Sequence, residues 1–226
     1  MLSGLLYLEF LQCGKLDFLE MFYNILDKER QEILPLLAKL PAGFYLAGGT
    51  ALALQIGHRD SVDFDFFIDQ DIDTNVLFEE LREVFQDHEL LKTQEEKNTL
   101  SVIIDGSIKL SFMTFKYSLL SPLIKEQYIN IASKEDIACM KLSAITSRAT
   151  QKDYIDIFFL LKEFSLSELL TLTKQKFPSL DENVVLKSLV FFEDVIKEPI
   201  KFTVGSEVDF REVENKLKEA VKGIGF

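Results

Sequence analysis

The sequence predicts an α+β fold, in which a mixed β-sheet is flanked by helices and followed by a C-terminal helical portion. In the first half, short strand patterns alternate with amphipathic helix patterns in the order αβαβα. Two further strand patterns, joined by Asp105-Gly106, predict a hairpin that extends the sheet. Beyond Pro122 the strand patterns give way to helix-start signals. We therefore expect an α/β portion over residues 1–125 and a helical portion over residues 126–226 that closes a cleft.

Composition narrows the class of protein. The 226 residues carry a formal charge of −12, and 47% of them are hydrophobic. This apolar content predicts one or two compact domains, whereas the charge disfavours unspecific attraction to nucleic acid. No apolar run approaches the roughly 20 residues that span a bilayer, so we expect no membrane segment. Cys13 and Cys139 lack the paired spacing of zinc or redox motifs, which predicts buried, reduced thiols and a cytoplasmic protein.

The first elements surround a glycine turn. An amphipathic helix is predicted over residues 17–40, interrupted or bent near Pro35. Residues 44–46 read as a short buried strand that leads into the glycine turn. The helix over residues 50–56 follows, with a threonine at its first position as a plausible N-cap.

Alternating and periodic patterns continue along the chain. Residues 62–68 form the second predicted strand, and a helix over residues 74–85 has its apolar side chains on one side. The hairpin strands are predicted at 100–104 and 108–115. We expect this antiparallel pair to extend the sheet.

The C-terminal portion is predicted to be helical throughout. Residues 133–136 resemble a capping box that opens a helix as far as residue 145, and a second such start lies at 165–168. Residues 210–221 form a last amphipathic helix.

Two carboxylates in the second strand are the strongest functional signal. Asp63 and Asp65 are two positions apart, so on a strand they share one face. Close carboxylates repel unless a divalent cation lies between them. Upstream, Gly48 and Gly49 form a corner at which backbone N–H groups can approach a phosphate. The combination predicts a metal–triphosphate site, with a solvated strand face and a tight β–α corner as the structural alternatives.

Four stretches of the chain resemble one known family. They read GGTALAL, GHR-x-S-V-D-F-D-F-F, KLSFMTF, and K-x-x-A-x-x-x-R-x-x-x-K-D-x-x-D. Together they resemble the AbiEii/AbiGii toxin nucleotidyltransferases, within the polymerase β type of nucleotidyltransferase fold. The resemblance implies Mg²⁺-dependent transfer of a nucleoside monophosphate from an NTP to a cellular acceptor such as tRNA. It also implies a role in a toxin–antitoxin or abortive infection system, with a small DNA-binding antitoxin as partner.

The resemblance assigns roles around the cation. Asp63 and Asp65 would be the catalytic metal ligands for Mg²⁺. Gly48, Gly49 and Thr50 would bind the triphosphate at the start of the helix.

Three residues before the acidic strand have competing interpretations. Ser61 could bind phosphate or metal-bound water, or be a turn residue. Arg59 could orient the carboxylates or the triphosphate, or form a structural ion pair. His58 is a solitary histidine and is interpreted as structural.

A second set of candidate residues lies in the later segment. Lys141, Arg148 and Lys152 recur at helical spacing and could receive the β- and γ-phosphates, or form a solvated helix face. The resemblance places a functional lysine at Lys141. It also places Asp153 or Asp156 in the active site, as a base or as an organiser of the basic groups. Asp156 has apolar neighbours and could instead be a buried ion-pair partner.

One position departs from the family's pattern. Where the resemblance implies a third carboxylate on a neighbouring strand, this sequence has Ser111. A hydroxyl binds a second magnesium less tightly than a carboxylate. The alternatives are therefore a catalytically impaired nucleotide-binding or partner-binding module with the same fold, and an interaction protein whose acidic surface pairs with a basic partner.

Overall fold

The computed structural model describes residues 21–225. After a 3₁₀ turn at Tyr23–Ile25, this part of the chain contains strands β1–β7 and helices α1–α8. The strands are β1 Tyr45–Ala47, β2 Phe64–Ile68, β3 Leu90–Glu96, β4 Thr99–Ile104, β5 Ile108–Thr114, β6 Ile124–Lys125 and β7 Asn130–Ile131. The helices are α1 Lys28–Leu37, α2 Gly48–Ile56, α3 Thr74–Val84, α4 Lys134–Ala144, α5 Gln151–Leu160, α6 Leu166–Lys176, α7 Glu182–Val190 and α8 Phe210–Gly223.

The strands form one mixed sheet in the order β3-β4-β5-β2-β1-β7-β6. The β2–β5 and β1–β7 pairs are parallel, and the other pairs are antiparallel. Phe64 and Phe66 of β2 are buried beside Phe112 of β5, and the Phe66 and Phe112 rings stack with centroids 5.3 Å apart. The α+β fold class predicted from the sequence is confirmed.

The N-terminal helix is shorter than predicted. Residues 17–20 of the predicted helix, and Cys13, lie outside the described residues. The helix α1 begins at Lys28 because Asp27 caps it by accepting a hydrogen bond from the Arg30 N–H. It continues through Pro35 and ends two residues later, so the helix is not interrupted at Pro35, and the alternative of a bend there stays a prediction.

The central strands and the hairpin match the prediction, whereas three strands were missed. Asp105 and Gly106 both have positive φ at the hairpin turn, as its tight geometry requires. The missed β3 is an edge strand with mostly exposed side chains, and it therefore lacks the apolar alternation that marks a half-buried strand. The strands β6 and β7 have two residues each, too few to give a pattern.

The helical portion differs in detail from the prediction. Ser133 caps α4, and Ser165 with Glu168 forms a complete capping box on α6. The helix predicted as far as residue 145 corresponds to α4, which ends at Ala144, and a connection of six residues separates it from α5, which begins at Gln151. Within the described residues, no helix is long and apolar enough to cross a membrane.

Residues 196–203 form an extended segment, here called the strap, in a region predicted to be helical. The Ile196 N–H donates to the Ala149 carbonyl at 2.7 Å, which fixes the strap to the α4–α5 connection. Farther along, the Asp60 N–H donates to the Lys201 carbonyl at 2.8 Å. The strap therefore returns the chain from the helical portion to the residues before β2.

The helical portion packs directly on the sheet portion. The helix α2 contacts both α4 and α5, and one hydrophobic cluster extends from Ile25 to Val221. The division at residue 125 stays a prediction, and β7, which follows it, belongs to the sheet.

Candidate active site

A cleft of about 400 Å³ opens where the β1–α2 corner, the start of β2, the α4–α5 connection and the strap meet. Its lining contains most of the site residues predicted from the sequence: Gly49, Thr50, Arg59, Ser61, Asp63, Asp65, Lys141, Arg148 and Asp153. Residues that lie up to about a hundred positions apart in the chain therefore converge on one cavity.

The carboxylates of Asp63 and Asp65 both line this cleft. Asp63 is exposed just before β2, and Asp65 is half-buried on the strand. Burial, followed by the nearby charge of Asp63, raises the pKa of Asp65 against the opposing effect of Lys109. Across residues 21–225, neither carboxylate makes a salt bridge. Two carboxylates without a protein cation can accept a cation from solution.

The glycine corner is shaped by close side chains. Gly48 has φ +75°, a left-handed conformation that favours glycine, and a Cβ there would lie 3.2 Å from Asp65 Oδ2. At Gly49, a Cβ would lie 2.7 Å from Arg59 Nη2. The two glycines thus let the acidic strand and Arg59 approach the backbone at the start of α2.

Thr50 does not cap α2, which begins at Gly48 with Ala47 as its N-cap. The side chain of Thr50 is buried in the first turn. Its hydroxyl donates to the Asp63 backbone carbonyl and lies 2.8 Å from the Ser61 hydroxyl. The Thr50 side chain therefore positions the residues that precede β2, and its hydroxyl is engaged within the protein.

Asp156 is the centre of a buried ion-pair network. Its carboxylate accepts a forked hydrogen bond from Arg59, with Nε–Oδ1 at 2.8 Å and Nη2–Oδ2 at 2.9 Å. Lys141 Nζ lies 2.6 Å from its Oδ2, and His58 Nε2 lies 2.8 Å from its Oδ1. Although burial opposes ionisation, Lys141 and Arg59 hold the pKa of Asp156 well below its usual range. These contacts favour the ion-pair interpretation of Arg59 and Asp156.

His58 belongs to the same network as a neutral side chain. Burial lowers its pKa, although the hydrogen bond to Asp156 opposes this change. A neutral His58 donates to Asp156 from Nε2. The structural interpretation of this histidine agrees with its buried position.

Asp153 is bound to three side chains and is almost completely buried. It accepts from Lys141 Nζ at 2.7 Å, from the Thr150 hydroxyl at 2.7 Å and from Arg148 Nε at 3.2 Å. Burial opposes ionisation, but Lys141 lowers the pKa of Asp153. Because a carboxylate engaged in this way has little basicity, the geometry favours an organising role for both Asp153 and Asp156.

The basic residues reach the cleft from different elements. Lys141 is buried on α4, Arg148 lies in the α4–α5 connection, and Lys152 lies on α5. The predicted basic face of one helix is therefore wrong, although all three residues line the cleft. The side chain of Arg148 is 63% exposed, whereas Lys152 pairs with Glu198 of the strap at 3.1 Å.

A second cavity, of about 470 Å³, adjoins the first and shares Gly49, Asp65, Lys141 and Arg148 with it. Its floor includes Lys109 and Ser111 of β5. Sequence reasoning missed Lys109 as a site residue. The available signal was its spacing, because Lys109 is two positions before Ser111 and therefore shares its face of the strand.

The donor set fits magnesium that arrives with a nucleotide. Among the described residues there is no group of three or more His, Cys, Asp and Glu side chains that could hold a metal alone. Magnesium is usually bound by one or two carboxylates together with substrate phosphates. Asp63 and Asp65 supply two such carboxylates, and both line one cavity.

Comparison with known proteins gives a family and a fold. Residues 36–222 match the family described as "Nucleotidyl transferase AbiEii toxin, Type IV TA system". An uncharacterised protein of Aquifex aeolicus (strain VF5) is 38% identical over 205 residues, which cover 87% of this chain and 96% of that protein.

Two solved structures have a similar fold. JHP933 of Helicobacter pylori aligns with a TM-score of 0.56 at 19% identity, covering 87% of this chain and 89% of its own. The nucleotidyltransferase toxin MenT4 of Mycobacterium tuberculosis aligns with a TM-score of 0.56 at 16% identity, covering 85% and 80%.

Proposed function

Because the chain belongs to the nucleotidyl transferase AbiEii toxin family and is a nucleotidyltransferase, we propose that it transfers a nucleoside monophosphate from an NTP to a cellular acceptor in a magnesium-dependent reaction. The observation that carries this proposal is the convergence of Asp63 and Asp65 with the glycine corner and with Arg148 in one cleft. In-line displacement at a phosphoryl group needs positioning and charge neutralisation more than covalent chemistry. The cleft offers groups for both.

Asp63 and Asp65 would hold magnesium in the cleft. Bound there with the nucleotide, magnesium would neutralise charge on the phosphoryl oxygens. The Thr50 hydroxyl donates a hydrogen bond to the Asp63 backbone carbonyl, so the first turn of α2 helps to position Asp63. The backbone N–H groups of Gly48 and Gly49, at the start of the same helix, would face the triphosphate.

Lys141 and Arg148, which line the same cleft, would bind the phosphates. An ammonium group has three donors, and Asp153 and Asp156 accept two of those of Lys141. The remaining donor is available to a phosphate oxygen, since Lys141 lines both cavities. Despite burial, Asp156 and Asp153 raise the pKa of Lys141, so the lysine stays charged. In this role Asp153 and Asp156 are positioning residues.

The family supports a toxin of a toxin–antitoxin system. We include in the proposal a tRNA or other cellular acceptor, a small DNA-binding antitoxin as partner, and action in the cytoplasm, where abortive infection would take effect. The net charge of −12 suits a basic partner.

The test is incubation with each labelled NTP, magnesium and total cell extract, followed by separation of RNA from protein. We expect label in one fraction together with release of pyrophosphate, and loss of both in Asp63→Asn and Asp65→Asn. Asp87→Asn, at an exposed position outside both cavities, is the matched control. Full transfer by both cleft variants would contradict the proposal.

Ser111 motivates a second candidate, a nucleotide-binding or partner-binding module without turnover. The position pairs with Asp65 across β2 and β5 but carries no carboxylate. Calorimetry separates the two functions, since NTP binding without any pyrophosphate release favours the module.

A further inference from the structure

Lys109 and Ser111 lie beside the acidic pair on the neighbouring strand. The strands β2 and β5 are parallel, and Asp65 is paired with Ser111. Extending this register by two residues places Lys109 beside Asp63, and paired residues of adjacent strands share a face. On β5, the Cα atoms of Lys109 and Ser111 are two positions and therefore about 7 Å apart. The Lys109 cation and the Asp65 carboxylate line the same cavity, and Asp63 lines the adjoining cleft.

Among the described residues, Lys109 differs from the other cations around the cleft in having no carboxylate partner. Over the described range 21–225, Lys109 makes no salt bridge within 4.0 Å. The others do: Lys141 and Arg148 pair with Asp153, Lys152 with Glu198, Lys201 with Asp60, and Arg59 with Asp156. Because Lys109 also lines the second cavity, its ammonium is available to a ligand there.

The second cavity has an unusual charge for this protein. The chain has 37 acidic and 25 basic residues. The described residues that line this cavity nevertheless include a single carboxylate, that of Asp65, with Lys109, Lys141 and Arg148. Hydroxyl groups complete the polar part, with Ser101 Oγ 3.4 Å from Ser111 Oγ. This cavity therefore suits a ligand that presents a hydroxyl group to Asp65 and anionic oxygens to Lys109, Lys141 and Arg148.

We propose that Lys109 is a catalytic residue of the acceptor subsite, where its ammonium binds the attacking hydroxyl and replaces a second metal ion. This inference rests on the proposed function and assigns the second cavity to the acceptor. A second divalent cation beside Asp65 would face a fixed positive charge and, at Ser111, a neutral hydroxyl in place of a carboxylate.

The transfer step leaves the charge of Lys109 unchanged. The acceptor hydroxyl oxygen forms a bond to the α-phosphorus, and the bond from that phosphorus to the bridging oxygen of pyrophosphate breaks. The electron pair leaves with pyrophosphate, and the hydroxyl proton passes to water. Lys109 stays protonated and stabilises the negative charge that develops on the attacking oxygen.

Counting metal ions tests this inference independently of turnover. The full chain is titrated with Mn²⁺ in the presence of a non-hydrolysable α,β-methylene triphosphate, and bound Mn²⁺ is counted by electron paramagnetic resonance. One Mn²⁺ for each chain with nucleotide is expected. Two would overturn the assignment of the second metal position to Lys109.

Substitution of Lys109 tests its contact with the acceptor. We expect Lys109→Gln to lower pyrophosphate release in the presence of total cell extract by about a hundredfold. Binding of the same triphosphate analogue, measured by calorimetry, should stay within about threefold, which also shows that the variant is folded. Lys109→Arg should recover part of the rate, and Lys97→Gln, at an exposed position outside the cavity, should match the wild type.

A wild-type rate in Lys109→Gln, or an equal loss of triphosphate binding, would overturn the inference. Absence of pyrophosphate release by the wild type with every NTP would instead contradict the proposed function. In that case the Mn²⁺ count still decides whether Lys109 occupies the second metal position.

Discussion

The Arg59 guanidinium and the Asp156 carboxylate form a forked pair, although the two residues are 97 positions apart in the chain. Both side chains are buried. Arg59 comes directly before the acidic strand segment, and Asp156 is on α5, so this pair connects the two portions of the protein behind the cleft. Asp156 also forms an ion pair with Lys141. The position of this lysine in the cleft is therefore linked to that of the acidic strand.

Removing the Asp156 charge should destabilise the protein strongly. In Asp156→Asn, Arg59 and Lys141 would keep their buried charges without their shared partner. Breaking a buried ion pair in this way costs about 3–5 kcal/mol, which urea unfolding would measure. Asp60→Asn is the matched control, because its partner Lys201 is 83% exposed and the loss should be at most about 1 kcal/mol. Equal losses in the two variants would contradict the central role of Asp156.

Asp65 should make stability fall as pH rises. Its folded pKa is raised, first by burial and then by Asp63, so its contribution is fully present below the unfolded value of 3.8. That contribution is lost as pH rises through the folded pKa. Asp65→Asn should therefore have a higher free energy of unfolding than the wild type at pH 7, and the difference should shrink towards pH 3.

The measurement for Asp65 is urea unfolding at several pH values in the absence of divalent metal. Added Mg²⁺ with nucleotide should stabilise the wild type and not the variant. A variant that is less stable than the wild type at pH 7 would contradict the assigned electrostatic conflict between Asp63 and Asp65.

Gly49→Ala should damage the site through Arg59. The new Cβ would lie 2.7 Å from Arg59 Nη2 and 3.4 Å from Ser61 Oγ, so the buried guanidinium must move. Overpacking of this kind costs about 1–3 kcal/mol, and nucleotide transfer should fall with it. At Gly223, the last residue of α8, a Cβ meets nothing within 4 Å. Gly223→Ala should therefore leave stability unchanged or raise it by up to about 1 kcal/mol, as thermal unfolding would show.

The sequence alone predicts the acidic strand because its signal is local. Phe64 and Phe66 alternate with Asp63 and Asp65, and this two-residue period assigns the faces of β2 before any neighbour is known. The glycine corner is equally local, since Gly48 needs its positive φ.

The partners of the basic residues are not local, and the sequence could not assign them. The position of Lys141 depends on how the α4–α5 connection folds. The helical spacing of the basic residues gives no indication of this connection. The strap is held largely by backbone hydrogen bonds, such as that from the Asp60 N–H to the Lys201 carbonyl, and backbone atoms leave no side-chain pattern. The importance of Lys109 depends on the parallel pairing of β5 with β2.

Arg148 should contribute to nucleotide affinity with little effect on folding. Its side chain is 63% exposed and makes one ion pair, to Asp153 at 3.2 Å, and exposed pairs stabilise a fold by at most about 1 kcal/mol. A guanidinium that binds phosphate in a cavity contributes more to the free energy of binding, because charge-assisted hydrogen bonds are roughly twice as strong as neutral ones. Arg148→Gln should therefore raise the dissociation constant of an NTP analogue with magnesium by about tenfold, or about 1.4 kcal/mol.

Calorimetry and urea unfolding together check the expectation for Arg148. Arg82→Gln is the matched control, because Arg82 is also exposed, also pairs with a carboxylate, that of Glu79 at 3.4 Å, and lies on α3 outside both cavities. An unchanged dissociation constant in Arg148→Gln would remove Arg148 from the phosphate site. A large loss of stability would instead assign Arg148 to the Asp153 network. The two roles are opposed, because a guanidinium that stabilises the fold must stay bound to Asp153, whereas one that binds phosphate must be able to turn towards the nucleotide.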